Sequence, residues 1–241
     1  MAKNISKHDA HRVDTGAAAR FAELGGIFLA EVNDLCSRLA SIRALVFDWD
    51  GVFNLGAKSQ SAGSGFSEAD SMGTNMLRYG LWRRDGSQPI AAIITGADNP
   101  TAESFAKREH FQAVFRGIAN KRVAISQLCD RHGLEPSEVA CVFDDINDLG
   151  MAAECGARFL VRRAASPLLQ DFVARNDICD YITAAEGDRF AVRECSELML
   201  GLFGLFDEVV HSRSVHDEDY KKYFSARQGI ETETITETTV A

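Results

Sequence analysis

The sequence is short of positive charge. Its 26 lysines and arginines face 35 aspartates and glutamates, for a net charge of -9. A nucleic acid, which calls for a basic face, is therefore excluded as the main partner. Small anionic substrates are not excluded, because a metal, a lysine and backbone N–H groups can hold phosphate on an acidic protein. No apolar run reaches the eighteen or so residues that a membrane span needs. The opening Met-Ala-Lys-Asn-Ile-Ser-Lys-His has no hydrophobic signal core. The six cysteines (Cys36, Cys129, Cys141, Cys155, Cys179, Cys195) lack any C-x-x-C spacing. They read as buried free thiols rather than as zinc ligands or disulfides. These absences point to a cytoplasmic chain. At 241 residues it can hold one α/β domain with extensions.

What is present is organised around Arg43-Ala-Leu-Val-Phe-Asp-Trp-Asp-Gly-Val-Phe53. Its branched and aromatic start reads as a buried strand of a parallel sheet. It ends in Asp48 and Asp50, which strand alternation puts on one side with Trp49 on the other. Two carboxylates this close repel unless a cation or a shared proton separates them. Taken alone, the same pattern also fits a strand running into an acidic surface turn.

Before this strand, Phe21, Leu24, Phe28, Leu35 and Leu39 recur at helical spacing, predicting an amphipathic helix over Thr15–Ala40. This defines an N-terminal extension over 1–41. After it, the glycine- and serine-rich segment at about 54–71 is too long for a simple βα loop and reads as a β-hairpin flap around Gly56 to Phe66, with a disordered insert as the alternative. Strands and helices then alternate: strands at Ile90–Thr95, Ala113–Arg116, Val139–Phe143, Arg158–Val161 and Tyr181–Ile182, with helices between and after them. That pattern predicts a Rossmann-like, doubly wound parallel sheet with helices on both faces, over 42–209. The tail, 210–241, ends in alternating Glu and Thr, a composition that leans toward disorder over an added edge strand.

In such a sheet ligands sit beyond the carboxyl ends of the strands. Asp48 and Asp50 close the first strand of this unit, Thr95 and Gly96 the second, Asp144 and Asp145 the fourth. Lys121 opens the helix after the third. All fall on one edge. Asp48 suits a carboxylate nucleophile and Asp50 a proton donor and acceptor. Thr95, the Gly96 N–H and Lys121 suit the phosphoryl oxygens, and carboxylates suit Mg2+. Each also has a plain reading: strand-end threonine, solvated lysine, or helix caps at Asp144 and Asp148.

Asp48-Trp-Asp-Gly-Val, Ile94-Thr-Gly, Lys121 and Asp144-Asp-Ile-Asn-Asp148 resemble, in order, motifs I to IV of the haloacid dehalogenase superfamily. Together with Phe190-Ala-Val-Arg-Glu194 they are most similar to its capless branch, that of the 3-deoxy-manno-octulosonate 8-phosphate and acylneuraminate 9-phosphate phosphatases. The resemblance implies a Mg2+-dependent phosphatase without a large cap domain, acting on a small phosphorylated substrate of the 2-keto-3-deoxy sugar-acid type. It implies an aspartyl-phosphate intermediate and a homo-oligomer, a tetramer, whose flaps cover neighbouring sites. It further implies that Asp48, the backbone carbonyl of Asp50 and Asp144 bind the metal. Asp148 would support the metal from behind, and Asp145 would orient the loop. A catalytically weak binding or scaffolding protein on the same frame is the alternative, and a receiver domain fits less well for want of Asp-x-Asp-Gly-Val. The chain departs from the branch at Phe143, Asn54-Leu-Gly56, Ala69-Asp70-Ser71 and Glu186-Gly-Asp-Arg189, so phosphatase chemistry carries over better than sugar identity.

Overall fold

The computed structural model describes residues 15–57 and 64–236. Strands β1 (Ile27–Phe28), β2 (Ala44–Phe47), β3 (Ile90–Ile94), β4 (Ala113–Arg116), β5 (Val139–Phe143), β6 (Ala157–Leu160), β7 (Tyr181–Ile182) and β8 (Glu233–Thr236) form one sheet, in the order β1-β7-β6-β5-β2-β3-β4-β8. Every pairing is parallel except that of β1 with β7. The helices are α1 (Thr15–Leu24), α2 (Val32–Leu39), α3 (Glu68–Asp85), α4 (Pro100–Glu109), α5 (Lys121–His132), α6 (Leu149–Ala152), α7 (Pro167–Arg175), α8 (Ala191–Leu202), α9 (Phe206–Val215) and α10 (Glu218–Gln228).

The period of two along each strand feeds two cores. Leu45 and Phe47 of β2 face the larger one, with α3, α4 and α8, whereas Ala44 and Val46 face α5 and α6. Both faces are thus covered, as a parallel sheet requires. The chain winds outward from β2 through β3 to β4, then returns by α5 to start β5 on the other flank of β2. That reversal makes the carboxyl end of β2 the switch point of the sheet, where doubly wound folds bind their ligands.

The N-terminal segment is not one helix. It breaks at Gly25-Gly26, and β1 follows before α2 begins. Helical spacing carries across this gap in the sequence, but the glycines decide the break. Gly25 sits at φ +111, and any side chain on Gly26 would collide with the Tyr181 ring. Most of the predicted stripe is used within the chain: Leu35 and Leu39 are fully buried, and Phe21 and Phe28 pack on the same core, while Leu24 stays exposed.

The described part of the tail, 210–236, is helix and edge strand, contrary to its composition. Tyr220 and Tyr223 of α10 bury against Tyr79 of α3, with ring centroids 5.3 and 5.0 Å away. The Tyr79 hydroxyl shares a hydrogen bond with Ser212, and Ser212 donates to Asp217 at 2.6 Å. Beyond α10 the Glu-Thr run forms β8 on the outer edge of β4, with Ile235 buried. One apolar residue at an inward position, plus a free sheet edge, outweighs the polar composition. The predicted hairpin around Gly56 to Phe66 falls largely on 58–63, outside the described residues, and the described flanks 54–57 and 64–67 form no strand.

Candidate active site

At the end of β2 the chain turns sharply. Trp49 is fully buried, stacked on Phe53 at 4.9 Å and against Phe105 at 5.5 Å. This anchor fixes the backbone between Asp48 and Asp50. Gly51 follows at φ +94, where a side chain would be strained and would also strike the Asp144 carboxylate. The glycine lets the β2 and β5 loops close on each other.

Asp48, Asp144 and Asp148 come together here, each offering an oxygen within 4.8 Å of the others. Lys121, 4% exposed at the start of α5, lies against both Asp48 and Asp148, the latter at 2.5 Å. Asp148 Oδ2 accepts from the Asp144 and Asp145 backbone N–H groups at 3.3 and 3.2 Å, which fixes the loop after β5. Asp145 stays outside the cluster and accepts from the Ile146 N–H at 2.7 Å. The Asp50 carboxylate is also apart from the cluster. Its oxygens accept from Ser64 Oγ at 2.5 Å and Asn99 Nδ2 at 2.8 Å. Thr95 is buried at the end of β3, and its hydroxyl oxygen accepts from Asn99 Nδ2 at 2.9 Å. Gly96 follows on the rim of the same cleft, whose volume is about 570 Å3.

The electrostatics show what the cluster lacks. Burial pushes the Asp48 carboxyl well above its ordinary value, and the carboxylates of Asp148 and Asp144 add to this against the pull of Lys121. Burial and Asp148 push Asp144 up to about 6, although Arg163 opposes them. Burial disfavours the charge on Lys121, but Asp48 and Asp148 together hold its pKa above the usual value. Three carboxylates thus share too little positive charge, in a pocket of hard oxygen donors. That donor set fits a hard divalent cation such as Mg2+.

Ser64, Asn99 and Arg163, which sequence reasoning passed over, belong to this site. Asn99 reads as the N-cap of α4, and nothing in its Asn-Pro setting points to Asp50. Arg163, beyond β6, pairs with Asp144 Oδ2; a lone arginine past a strand end carries no local signal in the sequence. The Phe190–Glu194 segment has a structural part instead. Glu194 accepts from the Tyr181 hydroxyl and from the Ala184 and Ala185 N–H groups at 2.7, 2.7 and 2.8 Å. It shapes the loop after β7.

A doubly wound sheet whose switch point carries Asp48-Trp-Asp-Gly-Val at the end of β2, with an acidic cluster, a lysine and a threonine beside it, marks a hydrolase of the haloacid dehalogenase type. No family model matches the chain. It is 30% identical over 175 residues to 3-deoxy-D-manno-octulosonate 8-phosphate phosphatase of Escherichia coli (strain K12), covering 73% of this chain and 88% of that protein. The solved structure of the Moraxella catarrhalis 3-deoxy-D-manno-octulosonate 8-phosphate phosphatase, in complex with magnesium ion, phosphate ion and KDO, is 26% identical. It superposes with a TM-score of 0.63 over 76% of this chain and 99% of that one. The Yersinia pestis phosphatase of the same name is 28% identical, with a TM-score of 0.61 over 73% of this chain and 89% of that one. The chain belongs to the 3-deoxy-D-manno-octulosonate 8-phosphate phosphatase family of the haloacid dehalogenase superfamily, and is a phosphoric monoester hydrolase.

Proposed function

We propose that the protein removes the phosphate from 3-deoxy-D-manno-octulosonate 8-phosphate, or a close 2-keto-3-deoxy sugar-acid phosphate, with Mg2+ as cofactor. The observation that carries this is the cluster of Asp48, Asp144 and Asp148 around Lys121 at the switch point, in a chain similar to those phosphatases.

Phosphate monoesters resist hydrolysis, so the site must hold and neutralise a phosphoryl group as it transfers. Asp48 attacks phosphorus, forming an aspartyl-phosphate as the ester oxygen departs. Asp50 gives that oxygen its proton, and later takes a proton from the water that cleaves the acyl phosphate. The Thr95 hydroxyl and the Gly96 N–H donate to phosphoryl oxygens. Lys121 balances charge on Asp48 and the transferring group. Asp48, Asp144 and the backbone carbonyl of Asp50 would hold Mg2+, with Asp148 fixing Asp144 and Lys121 from behind. Bound there, the cation would neutralise phosphoryl charge and orient the ester.

The catalytic unit in this reading is 42–209, with the N-terminal segment and the tail completing its core. Among the described residues no helix is long and apolar enough to cross a membrane, and we place the protein in the cytoplasm. We also propose a homo-oligomer, a tetramer. Support comes from Phe21, Leu24 and Phe190, which line one groove beside α8, with Leu24 and Phe190 exposed. The scaffolding alternative draws no support from a cleft lined by Asp48, Asp50, Lys121, Asp144 and Asp148 alike.

The test is phosphate release from 3-deoxy-D-manno-octulosonate 8-phosphate with and without Mg2+. Turnover that needs the metal and vanishes in Asp48→Asn is expected. Undiminished release in Asp48→Asn, or in excess chelator, would overturn the reading.

A further inference from the structure

Asn99 occupies the N-cap of α4, before a proline at N1, where an asparagine side chain ordinarily accepts from the helix's first free N–H groups. Here it makes no capping hydrogen bond. The residue is 4% exposed, and its side chain is turned the other way. Its amide nitrogen has two hydrogens, and it has two acceptors: Asp50 Oδ2 at 2.8 Å and Thr95 Oγ1 at 2.9 Å. A carboxylate can only accept, so the amide must present its nitrogen to Asp50. A cap worth having has been given up for a link between two groups of the site.

The consequences for those two groups differ. The Thr95 oxygen accepts from Asn99, so its own proton is free to be donated. Among the described residues, the buried Ser64 hydroxyl donates to Asp50 Oδ1 at 2.5 Å while Asn99 holds Oδ2, so the carboxylate is gripped at both oxygens. Each carboxylate oxygen has a second lone pair, so a proton can still be carried and delivered. Proton transfer to a leaving group demands hydrogen-bond reach, and errors of about 1 Å in placement cost rate on the order of 10²-fold.

We propose that Asn99, aided by Ser64, is the positioning residue of this site. It aims the Asp50 carboxyl at the leaving oxygen and orders the Thr95 hydroxyl toward the phosphoryl group. The inference rests on the reading of Asp50 as general acid.

The test uses two aryl phosphates. Phenolate leaves poorly and needs its proton, whereas p-nitrophenolate leaves unaided. The kcat/KM of full-length wild type, Asp50→Asn, Asn99→Ala and Asn99→Ser is measured for phenyl phosphate and p-nitrophenyl phosphate, with thermal melts to check folding. Asp50→Asn should depress phenyl phosphate far more than p-nitrophenyl phosphate. Asn99→Ala should do the same, with about a tenfold larger loss for phenyl phosphate, a fraction of the 10²–10⁴ typical of a lost acid. Asn99→Ser, which restores one donor and can cap α4, should recover part of that difference; it also carries the test if Asn99→Ala does not fold. A purely structural asparagine would depress both substrates alike. Losses equal on the two substrates in both Asn99→Ala and Asn99→Ser, beside a split response in Asp50→Asn, overturn the positioning role alone. No split in Asp50→Asn itself overturns the acid assignment, and the inference with it.

Discussion

Metal-free protein should lose stability as the pH rises from about 4 to about 7, and Mg2+ should restore it. Burial, with Asp148 beside it, lifts the Asp144 carboxyl to about 6, from an ordinary value near 4 in the unfolded chain. Between those two values the folded protein holds the proton and the unfolded chain does not. Stability therefore falls through this window, and the loss is complete above the folded pKa. A shift of roughly two units, at about 1.4 kcal/mol each, amounts to about 3 kcal/mol. For a chain of this size that lowers Tm by roughly 6–12 °C. Asp48 and Asp70, whose carboxyls burial also lifts, add decline of the same sign, which is why Asp144→Asn is needed to isolate one share of it. Asp180 works the other way: although burial opposes it, hydrogen bonds from Arg158 and Arg38 hold its carboxyl below the usual range, so its contribution is lost only below about pH 4. The measurement is a series of melts in chelator from pH 4.5 to 7.5, on wild type and on Asp144→Asn. The variant should lack the part of the decline that Asp144 causes. At pH 7.5, Mg2+ at 100 times its Kd should return about 2.7 kcal/mol to wild type. Parallel pH curves for the two proteins, or a melt indifferent to Mg2+, would refute the reasoning.

Three further outcomes are expected. Lys121→Met should cut kcat by roughly 10²–10³, the cost of losing one charge-stabilising donor in a dry site, measured by phosphate release at saturating Mg2+. Gly51→Ala places a methyl against the Asp144 carboxylate at a positive φ; titration calorimetry should show Mg2+ affinity reduced on the order of tenfold or more. Asp180→Asn takes the charge from a buried carboxylate paired with Arg38 and Arg158. It should cost roughly 3–5 kcal/mol in urea unfolding, toward the lower figure because Arg38 is partly exposed. Its kcat should be unchanged, because Asp180 precedes β7 and lies at the edge of the sheet opposite the site.

The sheet and most of the site were readable because each site group stands at a fixed place in a strand–helix alternation. Asp48 ends β2, Thr95 follows β3, Lys121 opens α5 and Asp144 follows β5, so period and order alone bring them to one edge. Asn99 was not readable. Its sequence setting is that of a helix cap, and only the fold shows the side chain turned toward Asp50. Arg163 escaped because a lone arginine past a strand has no local pattern, and its partner lies 19 residues earlier on another strand's loop. The break between α1 and α2 depended on how closely Gly26 meets Tyr181, a contact that helical spacing cannot register. β8 was obscured because a strand that buries one side chain carries almost no hydrophobic alternation.

That last strand has a consequence for the order in which the molecule assembles. The hydroxyl of Thr232, at the entry to β8, reaches the Ala106 carbonyl across 126 residues. Strand pairing over such a span must wait for the rest of the sheet, because closing the loop costs entropy before any contact repays it. Until then β4 presents a bare row of backbone donors and acceptors, a ready template for another molecule's strand. β8 therefore acts as a stopper on a growing sheet. A chain shortened before Glu233 would keep its catalytic cluster and β4, and would be expected to meet its own copies edge to edge.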